Sequence, residues 1–303
     1  MNRSIEVLDM SYVISCSSTC DLNNEHLKER NIVYIPFHYQ MNGQPQLDDM
    51  GASLSMEDFY SAMDQGADTR TSQINVEEYV SFFEQFLAKG YDLLHVDLSS
   101  GISGTINSAR LAQENLKEKY PERKIIVIDS LAASSGFGLL MDEIADRRDE
   151  GMSLEEVAAW AEENKLYVHH WFFSTDLKFY IKGGRISKTA GMFGSLLNIC
   201  PLLNVDYLGR LIPRDKIRTK KKVIHAIVNR MEEHAKDGRN YSGKVYISQS
   251  RCYEDAKAVA DLIEERFPNT KGKVKIFWIG PTIGSHTGPG TVALFFMGDK
   301  RID

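Results

Sequence analysis

The chain has 303 residues, with 36 basic and 42 acidic side chains and a formal charge of −6. A hydrophobic fraction of 43 % is that of an ordinary folded protein and excludes a disordered chain, while the acidic balance argues against the basic footprint of a nucleic-acid binder. No apolar run approaches the roughly 18–20 residues that cross a bilayer, and Glu6 and Asp9 stand where a signal peptide would carry its apolar core, so a cytoplasmic protein is expected.

The first half alternates strand and helix patterns. YVISCSS (12–18) reads as a strand, NEHLKERN as a helix, NIVYIPFHY (31–39) as one further strand and MNGQPQ as a turn. SMEDFYSAMDQG has Ser55 and Asp58 at capping-box spacing and stops on Gly66; NVEEYVSFFEQFLAKG repeats the device with Asn75, Glu78 and Gly90. YDLLHVDL (91–98) and KIIVID (124–129) are strands flanking the helical INSARLAQENLKEKY. Two helices follow, LAASSGFGLLMDEIADRR and SLEEVAAWAEENK. Then the character changes: VHHWFFS, PLLNVDYLGRLIP, KVYISQS, KVKIFWIG and TVALFFM read as strands, the second as a hairpin turning at YLGR, with helices near TKKKVIHAIVNRMEEHA and YEDAKAVADLIEERF. The expectation is an α/β protein with a parallel-sheet N-terminal domain over 1–166 and a smaller α/β domain over 167–303. Cys16, Cys20, Cys200 and Cys252 read as free thiols.

Four stretches offer chemistry. In DLSSGISGTINSA (97–109) a strand ends, hydroxyls and glycines follow, and a helix begins. That is either an anion cradle on Ser103 and the Gly104 backbone, or a helix start capped by Ser103 or Thr105. TRTSQ (69–73) approaches the next helix, and Thr71 and Ser72 can donate hydroxyl protons to an oxyanion or serve as turn chemistry. In IKGGRISKTAGMFGSLLNI (181–199), Arg185 can bind an anion, face a partner or satisfy local carbonyls; the apolar run after it can line a cavity or fill a core. IGSHTGPG (283–290) sets His286 between Ser285 and Thr287 among three glycines, a loop that holds one imidazole at a fixed angle. His169 and His170 are adjacent in a strand and point to opposite faces, so they cannot share a metal. The nucleotide loops, the nucleophile elbow and the HExxH pattern are missing from the sequence. Asp97 and Asp129 lie near strand ends; with His286 and a metal there they define an alternative reading, a stand-alone hydrolase or phosphotransferase.

SSTCDL (17–22), TSQ (71–73), SSGISGT (99–105), GGRIS (183–187), IRTKKK (217–222) and IGSHTGPG (283–290), in this order over nearly the whole chain, resemble the DegV family. The resemblance implies a two-domain α/β fold with one long-chain fatty acid held between the domains. It also implies a lipid-binding protein rather than an enzyme: the substrate-carrying subunit of a bacterial fatty acid kinase, whose separate ATP-binding subunit phosphorylates the carboxylate for phospholipid synthesis. It further implies a head-group set of Thr71, Ser72, Ser103, Gly104 and His286, with Arg185 and Arg218 facing the kinase. No cofactor or metal is implied beyond the fatty acid itself. The chain departs from the family pattern at Ser17, where an acid is usual, at Cys20, where alanine is usual, and at Ile74, where proline is common.

Overall fold

The computed structural model describes residues 12–187 and 199–302. Its first half runs β1 (Tyr12–Ser17), α1 (Asn24–Glu29), β2 (Ile32–Ile35), β3 (Phe37–Met41), β4 (Gln44–Asp48), α2 (Met56–Asp64), β5 (Thr69–Ser72), α3 (Val76–Leu87), β6 (Asp92–Asp97), α4 (Thr105–Lys119) and β7 (Ile125–Asp129). Strands β2-β1-β6-β7 form a four-stranded sheet paired in parallel throughout. β1 is buried along its whole length, as a strand covered on both faces must be. In α3 both bonds of the capping box between Asn75 and Glu78 form, and Tyr79, Phe83 and Leu87 bury the helical stripe against Leu93, Ala109 and Leu116.

The segment 31–39 is not one strand. Pro36 lacks the N–H a ladder needs, and the chain leaves the parallel sheet there. β2 stays in that sheet, while β3 pairs antiparallel with β4 and β5 in a separate three-stranded sheet. Asn42 and Gly43, both at positive φ, make the two-residue turn between β3 and β4. The expected turn is thus present, and a short strand follows it.

The second half continues with α5 (Ser134–Asp149), α6 (Leu154–Asn164), β8 (Val168–Ser174), α7 (Lys178–Lys182), β9 (Ile199–Val205), β10 (Leu211–Arg218), α8 (Lys220–His234), β11 (Val245–Gln249), α9 (Tyr253–Arg266), β12 (Val274–Trp278), α10 (Pro281–Thr287) and β13 (Thr291–Met297). Six strands form one sheet in the order β10-β9-β8-β13-β11-β12, antiparallel except for β11 with β12. The β9–β10 hairpin turns at YLGR as expected, with the Asp206 carboxylate accepting the N–H groups of Leu208 and Arg210. Most of the apolar run before β9 falls in 188–198, outside the described residues.

α5 joins the two large sheets. Its Phe137 and Leu140 share one apolar cluster with Ile14, Leu94 and Val96 of the first sheet and with Phe172 and Phe295 of the second. α8 and α9 cover the other face of the six-stranded sheet, where Val223, Ile227, Val259 and Ile263 pack on Trp171, Leu202, Ile247 and Leu294. Among the described residues no helix is long and apolar enough to cross a membrane.

Candidate functional site

The seam between the sheets is not solid. A cavity of about 470 Å³ opens beside α5 and α10, within the size range of small-ligand pockets. Its wall is apolar over most of its extent: Phe37, Leu98 and Ile102 from the first half meet Phe172, Val205, Leu211 and Phe295 from the second. His170 contributes to the same wall. Its Nε2 accepts the Ala133 N–H at 3.3 Å, so the proton sits on Nδ1, which donates to the Val168 carbonyl at 3.0 Å. Burial pushes its pKa well down and keeps the ring neutral.

One part of the wall is polar. Thr71, Ser72, Gln73, Ser103, Arg185, Ser285, His286 and Thr287 all line it. The His286 imidazole is the hinge of this group. Its Nε2 lies 2.7 Å from Thr71 Oγ1, and its Nδ1 lies 3.3 Å from Arg185 Nη1. A guanidinium can only donate, so Nδ1 is the acceptor and Nε2 carries the proton, which it gives to Thr71. Thr71 then has its own O–H proton to direct at a ligand. Burial first, and the Arg185 charge second, lower the His286 pKa to about 3, so the ring is neutral at physiological pH. The order of donation runs from Arg185 through His286 to the Thr71 hydroxyl and ends in the cavity. Arg185 also donates to the Gly183 carbonyl at 2.7 Å. Gly183 must be glycine, because a Cβ there would overlap His286 Nδ1.

His286 does not lie in an irregular loop as the sequence implied. It sits on α10, a short helix with Pro281 in its first turn and Gly288 at φ +70° ending it. One glycine and three β-branched residues in seven make a poor helix on their own, so the turn depends on partners. Two buried carboxylates from the first half supply them. Asp21 Oδ1 accepts the Gly280 N–H at 3.0 Å, and Asp48 Oδ2 accepts the Thr282 N–H at 3.1 Å. Tyr60 adds a hydroxyl bond to the Ile279 carbonyl at 2.8 Å. Asp21 also accepts from Ser134 Oγ, which starts α5. Burial raises the pKa of both carboxyls, Asp21 strongly, and Asp48 adds to the rise at Asp21.

Of the residues read from sequence, Thr71, Ser72, Ser103, Arg185 and His286 come together around this cavity. Thr71 and Ser72 do so on a strand, β5, that leads into α3 as the sequence reading allowed; Thr71 pairs with Tyr39 of β3. Gly104 is not in the wall. It is the residue before α4, and a Cβ on it would meet Gln73 Nε2 at 3.0 Å, so it makes room for a lining side chain. Ser103 Oγ accepts the Thr105 N–H at 3.3 Å, so it serves the helix start as well as the cavity. Arg185 is half-buried against His286 instead of standing on the open surface, and burial lowers its pKa. Arg218 is exposed at the end of β10 and does not line the cavity.

Asp97 and Asp129 do not line it either. Asp97 accepts from the Tyr79 hydroxyl at 2.6 Å and the Leu98 N–H, and Asp129 from the Ser100 and Leu131 N–H groups, so both serve strand-end structure. Among the described residues that geometry leaves His286 without a carboxylate partner for a metal. The roles of Asp21 and Asp48 were not legible in the sequence. Asp21 lies in SSTCDL, but nothing in that hexapeptide points 259 positions down the chain to Gly280. All four cysteines are free; Cys16 and Cys20 are buried with sulfurs 3.7 Å apart.

Comparison with known proteins agrees with this architecture. The family described as "Uncharacterised protein, DegV family" matches residues 12–299. A DegV domain-containing protein of Clostridium perfringens is 36% identical over 290 residues, covering 96% of this chain and 98% of the relative. Among solved structures, the fatty acid kinase B3 protein of Streptococcus pneumoniae, loaded with linoleic acid, superimposes with a TM-score of 0.82 at 25% identity, covering 96% of this chain and 100% of the other. DegV of Bacillus subtilis, described as a fatty acid binding protein, gives 0.80 at 26% identity with the same coverage. With its sheets, its cavity and a match over nearly its whole length, the chain belongs to the DegV family.

Proposed function

We propose that the protein binds one long-chain fatty acid with its tail in the cavity and its carboxylate at Thr71, Ser103 and His286, and presents that carboxylate to a separate ATP-binding kinase subunit for conversion to an acyl phosphate. The observation that carries this reading is the join of an apolar wall to the Arg185–His286–Thr71 chain of donors in one cavity. The solved relatives, one loaded with linoleic acid and one described as a fatty acid binding protein, support it.

The energetics divide between the two ends. A sixteen-carbon tail buries about fourteen methylenes at ~0.8 kcal/mol each, on the order of 11 kcal/mol before the costs of association. The tail supplies the affinity. The head must avoid forfeiting it, since a buried carboxylate without partners costs several kcal/mol. Hydroxyl protons from Thr71 and Ser103 replace its water, and the Arg185 guanidinium behind the neutral imidazole supplies the opposite charge. As the carboxylate gains a phosphate, the imidazole stays neutral and Arg185 remains the charged donor behind it. In this reading the chain is organised as units 1–166 and 167–303 with the ligand between them, and Arg185 and Arg218 contribute to kinase docking.

The test is acyl phosphate formation from palmitate and ATP with a cognate kinase subunit. Wild type supports it and His286→Ala reduces it at least tenfold. Turnover by this protein alone, without a kinase, would favour the stand-alone enzyme instead.

A further inference from the structure

A second constellation lies on the opposite face of the six-stranded sheet. Along β8 side chains alternate, so His170 lines the cavity and His169 turns toward α8. His169 Nε2 lies 2.9 Å from both Asp299 Oδ1 and the Asp299 carbonyl, to which it donates, and His234 Nδ1, at the end of α8, lies 3.2 Å from the same carboxylate oxygen. The three donor atoms fall within 4.8 Å of one another.

Three separate segments are fixed to make this meeting. The two imidazoles stack with centroids 4.9 Å apart, and Phe296 and Trp171 stack on their outer faces. The Asp299 N–H donates to the His234 carbonyl, and Gly298 bridges to Ala235. Gly298 allows the approach: a Cβ there would lie 2.7 Å from His169 Cδ2 and 3.0 Å from Nε2.

We propose that His169, His234 and Asp299 form a binding site for a first-row divalent transition metal ion, zinc above others. Two imidazole nitrogens with one carboxylate suit such an ion, whereas Mg²⁺ and Ca²⁺ want oxygen ligands. A tetrahedral zinc ion with bonds of about 2.0–2.1 Å holds neighbouring ligand atoms roughly 3.3 Å apart. The 3.2 Å pair already meets that spacing, and the 2.9 Å pair must open by a few tenths of an ångström. The two nitrogens, within 4.8 Å of each other, close on the ion as His169 moves its proton from Nε2 to Nδ1 and gives up its bond to the Asp299 carbonyl. Asp299 is largely exposed, so water completes the coordination. An opposing charge, Arg301, is held by the carbonyls of Leu131, Lys165, Val205 and Asp206. The ion would pin the C-terminal segment to β8 and α8 and would not touch the cavity.

The test uses full-length protein stripped with a chelator and titrated calorimetrically with ZnCl₂, with Co²⁺ absorption as a second probe. Wild type takes up one zinc per chain, melts at a higher temperature with zinc, and gives a visible Co²⁺ band. His234→Ala and Asp299→Asn, both checked for folding by circular dichroism, bind zinc at least tenfold more weakly and lose the band. Zinc uptake below one per chain in wild type, or equal affinity in both variants, overturns the proposal. Neither outcome bears on fatty acid binding.

Discussion

Thr71 and His286 are separated by 215 positions in the chain, yet Thr71 Oγ1 lies 2.7 Å from His286 Nε2. The contact crosses from the three-stranded sheet to α10, so the polar end of the cavity forms only when these segments of the two halves are in register.

Replacing Thr71 by valine keeps the shape and removes the hydroxyl. The His286 N–H then loses its acceptor and the ligand loses a donor. A hydrogen bond to a charged group contributes roughly 1.5–3 kcal/mol, so fatty acid affinity should fall about ten- to a hundredfold. Displacement of a fluorescent fatty acid checks this; unchanged affinity in Thr71→Val would remove Thr71 from the head-group set.

The ligand-free protein should lose stability in acid partly through His286. Its folded-state pKa of about 3 lies below its ordinary 6.5, so the unfolded chain binds the extra proton between those values and stability falls as pH drops through that window. His169, held at about 4, and His170 act in the same direction. Removing one such histidine, as in His286→Gln, should flatten the slope of unfolding free energy against pH by up to ~1.4 kcal/mol per unit. Urea unfolding at several values between pH 4 and 7 measures it, and identical slopes for wild type and variant would contradict the buried neutral imidazole.

Gly183→Ala tests positioning apart from affinity. The added methyl displaces the His286 ring, since it would also stand 3.1 Å from Cε1 and 3.2 Å from Cγ. A small misplacement of a reacting group costs on the order of 10² in rate, whereas the tail's burial is untouched. Kinase-coupled turnover should therefore drop far more than fatty acid binding. Equal losses in both would mean that the ring serves binding alone.

Asp21→Ala removes the acceptor for the Gly280 N–H and for Ser134. Unsatisfied buried donors cost about 1–3 kcal/mol each, which in a protein of this size lowers the melting temperature by several degrees. Asp21→Asn retains an acceptor oxygen and should lose less. Calorimetry of the two variants decides it, with an equal effect from both pointing to the carboxyl's ionisation instead.

The sequence carried the local facts well. The capping box at Asn75 and Glu78, the stripe of Tyr79, Phe83 and Leu87, and the β9–β10 hairpin all follow from spacing and turn chemistry within a few positions. It misplaced what depends on distant partners. α10 has weak intrinsic helix propensity and is held by Asp21, Asp48 and Tyr60, which come from the other end of the chain. β5 is too short to show alternation, so the sequence leaves it open between strand and loop, and pairing with β3 fixes it as a strand. The apolar wall was invisible for a related reason: Phe172, Val205 and Phe295 face the cavity from strands whose pattern matches that of ordinary core. The polar residues stood out because hydroxyls, glycines and one histidine recur at the ends of several strands and helices, where unpaired backbone N–H groups already favour an anion.

The most direct measurement is mass spectrometry of an organic extract of the protein purified from a bacterial host. The account predicts close to one long-chain fatty acid per chain, displaced by added labelled palmitate. Protein that emerges lipid-free and also takes up no labelled palmitate would contradict it.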